Sequence, residues 1–460
     1  MGATPDYDLV VIGGGSGGFG ATLAAARRGL RVLLVERGPM LGGNSTLGGV
    51  NTWEPGIGGP GFHAELYELL KRQPNAIGVS RTIHTWTQDE PWGRSRVDPA
   101  LPYRQSLRRS GIDRDDLARV TFEPQAMATA MQSMLEQTGH VTVCIGTSFA
   151  GATCSGDRLE SVEIETDGQS RQVTAAFMID ATANLNVATA VGCATYLGCE
   201  PQAMYEEPSA PPAHENRLNG VSLCFRVTPT DDRTIEPLPP GVPDEPRQCS
   251  FSITEYPNGD LNLNPLPIME GIEFHQLGPA EGRRICEQRV HQAWRWLQQE
   301  KGFDKYRMVS LSPFTGVREG PRLIARRVLT ENDVRAGCSG KKDADRWITL
   351  ADHALDVHGQ GHLCREVNEP YGVPYDCLLP REYSNLAVAC RGAGFSHLGA
   401  SSCRLSRTMM QLGHAAGLAC ALAVRTESQL PDVAVDQIQQ LLSEDNVTLN
   451  PNDDRFPKPV

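Results

Sequence analysis

Apolar residues cluster along this chain in two rhythms, and the rhythms place most of its elements. Tyr7 to Ile12 is a short apolar run rich in β-branched residues, and Arg31 to Val35 repeats it. Between them lie a glycine loop, Gly13 to Gly18, and an alanine-rich, helix-favouring stretch, Ala21 to Arg28, which Gly29 is placed to end. Pro124 to Gly139 has the helical period, with Met127, Met131, Met134 and Leu135 on one face. Val141 to Ile145, Leu159 to Thr166 and Gln172 to Ile179 read as strands, the last two joined by a turn at Asp167-Gly168. Arg283 to Lys301 is helical, with Val290, Trp294 and Leu297 at helical spacing. Leu386 to Ala389 is a last short strand, and Arg404 to Val424 a long alanine-rich helix. Three stretches break the pattern. Gly38 to Gly61 is glycine-rich and long enough to suggest function. Pro74 to Leu117 is irregular and polar, and the proline-rich stretch Pro201 to Pro246 marks passage into an inserted domain. No internal repeat is visible.

Length and charge narrow the class. A chain of 460 residues exceeds one ordinary core, so two packed domains are expected. With 43 basic against 55 acidic residues the net charge is -12, and there is no basic tract. That balance argues against nucleic acid or an anionic membrane as partner. No apolar run is long enough to span a bilayer. Met1 to Asp8 is short and polar, so no signal peptide is expected. The 13 cysteines are scattered singly, with Cys193, Cys224 and Cys420 in apolar settings. Reduced core thiols and a cytoplasmic location are expected.

The glycine loop carries the first chemistry. Gly13, Gly15 and Gly18 satisfy G-x-G-x-x-G, with Ser16 and Gly17 between them, after a strand and before a helix. Such a loop brings backbone amides and a helix N-terminus to a pyrophosphate. Glu36 closes the second strand, where a carboxylate accepts hydrogen bonds from ribose hydroxyls and repels a 2′-phosphate. A dinucleotide is therefore expected, and NADP is not. Arg37 and a second amide-rich loop, with Gly42, Gly43, Asn44, Ser45, Gly48 and Gly49, suit a longer cofactor, FAD. Ala181-Thr182 at the end of a strand, and Arg391 after the last strand, complete the expected cofactor residues. The strand and helix around Arg391 suit the negative charge of a reduced flavin.

The stretch from Gly42 to Gly56, G-G-N-S-T-L-G-G-V-N-T-W-E-P-G, resembles the corresponding loop of a family of FAD-dependent oxidoreductases, distantly similar to the flavoprotein subunits of fumarate reductase and succinate dehydrogenase. Gly316 to Glu319 with Arg322, Asp356-Val357-His358, Ser396-His397 and Gly413 to Gly417 resemble further segments of that family. The resemblance covers most of the chain from Tyr7 to Ala423. It implies FAD, an oxidoreductase activity and no particular substrate. Two departures stand out. Gly320-Pro321 replace a serine and an arginine, and Ala183-Asn184-Leu185-Asn186 replace a G-D-G-D sequence.

Proton transfer and carboxylate binding call for histidine and arginine. His397, between the last strand and the helix expected to point at the flavin, is the first candidate, with holding loop backbone as its alternative. His358 and Arg318 are the others. Arg318 either anchors a substrate carboxylate or pairs with Glu319 or Asp333. Asn51 and Trp53 follow the flavin loop and either contact the ring or serve structure. His358 and His362 flank glycines that rule out a shared helix face, so no metal is expected.

The resulting expectation is an α/β protein. A Rossmann-like FAD-binding domain with a parallel sheet is built from residues 1–72, 118–198 and 370–430. Residues 73–117 and 199–369 form an inserted mixed α+β substrate or cap domain, and 431–460 a C-terminal tail. The expected partners are a small polar substrate exchanging hydride with the flavin, and an electron acceptor or donor that the sequence does not identify. A homo-oligomer is compatible with the sequence. The competing readings are an NAD-dependent dehydrogenase and a flavin- or nucleotide-binding protein without turnover.

Overall fold

A computed structural model of the chain describes residues 5–53, 57, 61–81, 83–84, 94–95 and 118–452. Glu54, Pro55 and Gly56 of the long glycine loop, most of 74–117 and the end of the tail lie outside the described residues.

Five strands run parallel in the order Val141–Ile145, Val32–Glu36, Tyr7–Ile12, Gln169–Asp180, Leu386–Val388. Every position of Val32–Glu36 and Leu386–Val388 is buried, which is why these strands read as continuous apolar runs. Gln169–Asp180 serves two partners. Its C-terminal half lies in the parallel sheet, and its N-terminal half pairs antiparallel with Arg158–Thr166. Beyond that lies Thr147–Ser155, a strand absent from the sequence reading. Apart from Phe149 its residues are small or polar and most are exposed, so it lacks an apolar rhythm.

Helix Ser16–Arg27 lies against helix Ser406–Thr426 at very short range. A Cβ on Gly413 would fall 1.8 Å from the Gly17 carbonyl oxygen, and one on Gly417 2.2 Å from that of Ala21. Only glycine permits this approach. The expected start of the second helix, Arg404, belongs to a turn that follows a short additional helix, His397–Ser402.

The cap is a sheet in the order Tyr306–Leu311, Phe225–Pro229, Leu261–Pro265, Phe251–Glu255, Ile83–His84. One face packs on helix Gly271–Glu300 through Phe225, Phe251, Ile253, Leu263, Val290 and Trp294. The helix begins earlier than its periodicity suggests. It is broken at Gly278 (φ 75, ψ 166), just before Pro279, which lacks the N–H a helix needs. No helix starts at Pro321; Arg322–Leu323 instead pairs as a strand with Thr195–Tyr196. The architecture is thus α/β with a parallel-sheet unit and an α+β cap. The larger core also takes in Leu323, Leu329, Val334 and Ile348 from the segment expected in the cap, and Leu430 and Ile438 from near the tail.

All 13 cysteines are free thiols. Among the described residues no helix is long and apolar enough to cross a membrane.

Candidate active site

The carboxyl ends of the parallel strands open into a cavity of about 2640 Å³ that reaches the cap sheet. Open α/β sheets bind ligands at this edge, and the volume exceeds that of a typical small-ligand site, about 300–1,000 Å³.

The glycines of the first loop divide by role. A Cβ at Gly17 would lie 1.9 Å from the Ala389 carbonyl oxygen, one at Gly18 1.7 Å from that of Gly13, and one at Gly13 2.5 Å from that of Ala181. These three serve packing. A Cβ at Gly15 would meet no protein atom within 4 Å, and Gly15 lines the cavity with Gly13, Ser16 and Gly17. Gly15 is also the N-cap of Ser16–Arg27, a helix with no side-chain cap, so its first amides face the cavity edge without a side-chain acceptor. Glu36 is buried, and its carboxylate accepts hydrogen bonds from the amides of Gly14 at 2.7 Å and Gly38 at 2.6 Å. The second loop meets the first where Gly42 N–H donates to Gly14 O at 2.8 Å. Gly43, Asn44 and Ser45 then line the cavity, as do Arg37, Ala181, Thr182 and Arg391. A bare glycine and uncapped helix amides to donate to a pyrophosphate, and a fixed carboxylate to accept from a ribose, are the groups a dinucleotide requires, so the residues fit FAD. Gly18, Gly42, Gly48 and Gly49 lie off the cavity and shape the loops instead. Gly49, at φ 72, packs on Ser312 and Cys224.

This division makes a test. Gly15→Ala is expected to leave the thermal unfolding of the apoprotein unchanged while weakening FAD binding in a flavin titration. Gly17→Ala is expected to lower the apoprotein's melting temperature, because overpacking against backbone costs about 1–3 kcal/mol or more. Equal melting temperatures for the two variants would contradict the assignment.

Arg318, Asp356, His358 and Arg404 also line the cavity. His358 Nε2 lies 2.9 Å from Asp356 Oδ2, and Arg404 Nη2 donates to the same oxygen at 2.7 Å. Burial opposes charge on Asp356, yet the His358 hydrogen bond and Arg404 hold its carboxyl far below the usual range. Burial and the nearby guanidiniums of Arg318 and Arg404 push His358 down to about 4, against the pull of Asp356. Burial, with Arg404 nearby, brings Arg318 down to about 10. Arg318 Nη1 donates to Gly220 O at 2.8 Å, and among the described residues no carboxylate lies within ion-pair distance of it. The expected alternative pairing with Glu319 or Asp333 is not found.

Asn219 ties these groups together. Its side chain accepts from His358 N–H at 3.0 Å and donates to Asp356 O at 2.9 Å, while its own N–H donates to Glu319 at 2.7 Å.

His397 lies elsewhere than the sequence suggests. It opens a short helix capped by Ser396 Oγ, is 2% exposed and does not line the cavity. Its Nδ1 sits 2.9 Å from Glu319, which also pairs with Arg322; Arg322 in turn meets Glu200 at 2.7 Å. Burial opposes protonation of His397, but Glu319 and the neighbouring Cys199 raise it to about 10. His397 is therefore a cation of a buried ionic cluster behind the wall. Among the described residues, Glu319 and Asn219 link it by hydrogen bonds to the Asp356–His358 pair.

Arg404 and Asn219 were missed from sequence. Arg404 precedes, and Arg407 occupies, the first turn of a helix, where the macrodipole disfavours cations. That placement was the available signal. Asn219 carried none, because its partners are remote in sequence.

The profile of the FAD dependent oxidoreductase family matches residues 8–442. Among curated proteins, 3-oxosteroid 1-dehydrogenases are 42% identical over 53 residues in Comamonas testosteroni and over 50 in Mycobacterium tuberculosis. These matches cover 12% and 11% of this chain and span 9% of the length of each relative. Among solved structures, a geranylgeranyl bacteriochlorophyll reductase-like protein from Thermoplasma acidophilum aligns with a TM-score of 0.48 at 13% identity, covering 95% of this chain and 83% of its own. The myxobacterial chondrochloren halogenase aligns with a TM-score of 0.46 at 13% identity, over 95% and 78%. With a profile match across nearly the whole chain and a cavity whose donors fit the cofactor, this chain belongs to the FAD dependent oxidoreductase family.

Proposed function

We propose that this enzyme oxidises a small substrate bearing a carboxylate and a hydroxyl, with Arg318 holding the carboxylate and His358 taking the hydroxyl proton. The observation that carries the reading is the Asp356–His358 pair beside Arg318, a cavity guanidinium with no carboxylate partner among the described residues. FAD, when bound at the glycine loop, supplies the two-electron acceptor. Arg318 offers its planar donors to a substrate carboxylate, a geometry that fixes orientation as well as supplying charge. Arg404 holds Asp356 ionised, and Asp356 accepts from His358 Nε2. A neutral imidazole that donates from Nε2 keeps its lone pair on Nδ1, where it takes the proton of a reacting hydroxyl. With His358 near 4, the imidazole is neutral at neutral pH and its free nitrogen is available to accept a proton.

The test is anaerobic bleaching of the flavin absorption by a panel of small carboxylates and their amides or esters. Carboxylates are expected to bleach, and the neutral analogues are not. Arg318→Gln should weaken binding of the active acid by about ten- to a hundredfold, the worth of a hydrogen bond to a charged group. Equal bleaching by acid and amide would reject the anchor.

A further inference from the structure

The cap sheet turns a face of neutral hydrogen-bonding side chains to the cavity. We infer that this face reads substrate hydroxyls, so that the substrate is a polyhydroxylated carboxylate of the sugar-acid type. The inference rests on Arg318 as the carboxylate anchor.

Strands Phe251–Glu255 and Leu261–Pro265 alternate strictly. Phe251, Ile253, Leu261 and Leu263 enter the cap core, and period two sends Ser252, Thr254, Asn262 and Asn264 to the opposite face. Pairing sets Ser252 across from Asn264 and Thr254 across from Asn262, and all four line the cavity. A face that covered only an apolar substrate would gain from apolar residues, because desolvated amides and hydroxyls are costly unless paired. Two of the four are engaged inside the protein. Asn262 Nδ2 donates to Gly49 O at 3.0 Å and to Asn51 Oδ1 at 2.8 Å, and Thr254 Oγ1 donates to Asn51 Oδ1 at 3.4 Å. These bonds fix the flavin-side loop. Asn264 differs: its Oδ1 is buried and has no hydrogen-bond partner among the described residues.

The four carry no charge. Amides and hydroxyls match groups that both donate and accept, as an alcohol does. The face also adjoins the anchor. Beyond Pro265 the chain continues to Pro267, which packs on Gly220. Gly220 accepts from Arg318 through its carbonyl and donates to His358 O through its N–H at 2.9 Å. Carboxylate anchor and proton acceptor are therefore tied through Gly220 to the segment that follows Asn264.

The test measures binding to the FAD-loaded protein through perturbation of the flavin's visible absorption. The probes are D-gluconate, D-galactonate, D-glucuronate and D-galacturonate. Hexanoate supplies the same chain length without hydroxyls, and D-glucitol supplies hydroxyls without the carboxylate. At least one hydroxylated acid is expected to bind about a hundredfold tighter than hexanoate, at about tenfold per hydrogen bond. In Asn264→Leu that ratio should fall by about tenfold. Ser252→Ala, a smaller change, should lower it in the same direction, and a ratio taken within each variant cancels any general loss of affinity. Hexanoate binding as well as every hydroxylated acid, or no binding by any hydroxylated acid, overturns the inference. Glucitol binding as tightly as the best acid overturns the Arg318 anchor, and with it the acid half of the inference, while the hydroxyl half stands.

Discussion

His358→Gln is expected to reduce turnover by about 10²–10⁴-fold, the usual contribution of a positioned proton acceptor, while FAD stays bound. Glutamine keeps a polar side chain near Asp356 but has no lone pair basic enough to take a hydroxyl proton. The glycine loop that fits the flavin is built from other residues, so the variant should retain the parent's flavin content. Asp356→Asn should act in the same direction for a different reason. It removes the acceptor that holds His358 with its proton on Nε2, and so disturbs the tautomer that leaves Nδ1 free. The pH profile supplies the independent readout. Since His358 is held near 4, the parent's kcat/KM should stay flat from neutral pH down towards about 4 and fall below it as the imidazole protonates. A profile that breaks near 6.5, the value of an unperturbed histidine, would show that the titrating base is not this one.

The βαβ start was legible because its constraints are local. The loop, the helix and the acid at the end of the second strand each follow from residues within one short segment. The motif itself assigns Gly13 to the turn, Gly15 to the pyrophosphate approach and Gly18 to close packing, but the packing role of Gly17 was not legible, since Ala389, which stands across from it, is remote in sequence. His397 shows the same limit in the site. A Ser-His pair after the last strand places a histidine near the flavin, but the side of the loop it faces is decided by Glu200 and Glu319, both distant in the chain. The cap's polar face went unread: L-N-L-N-P has period two, but a stretch so short gains meaning only from its register with F-S-I-T-E, which needed the fold.

The two departures from the family pattern meet at one side chain. Arg391 Nη2 donates to Asn184 Oδ1 at 2.9 Å, and a Cβ on Gly320 would lie 3.2 Å from both Arg391 Nη1 and Asn184 Oδ1. An asparagine in place of an acid and a glycine in place of a serine are thus a matched pair. Together they leave a cavity arginine with a neutral partner and close backbone contact.

His397→Ala is expected to destabilise the protein by about 3–5 kcal/mol, the cost of removing one partner of a buried ion pair. The loss falls on stability more than on chemistry because His397 does not line the cavity. The sign of its pH dependence separates this role from a catalytic one. In the folded protein His397 is raised to about 10, whereas an unfolded histidine titrates near 6.5. Its stabilising contribution is therefore fully present below about 6.5 and is lost as pH rises through the folded value. The gap in melting temperature between parent and His397→Ala should be widest in mild acid and shrink towards pH 10. Rates point the same way. FAD-loaded His397→Gln should keep kcat within about tenfold of the parent, well short of the loss expected on removing a general base. A larger fall in kcat, with a melting-temperature gap that does not change with pH, would return His397 to the catalytic role that its place in the sequence suggests.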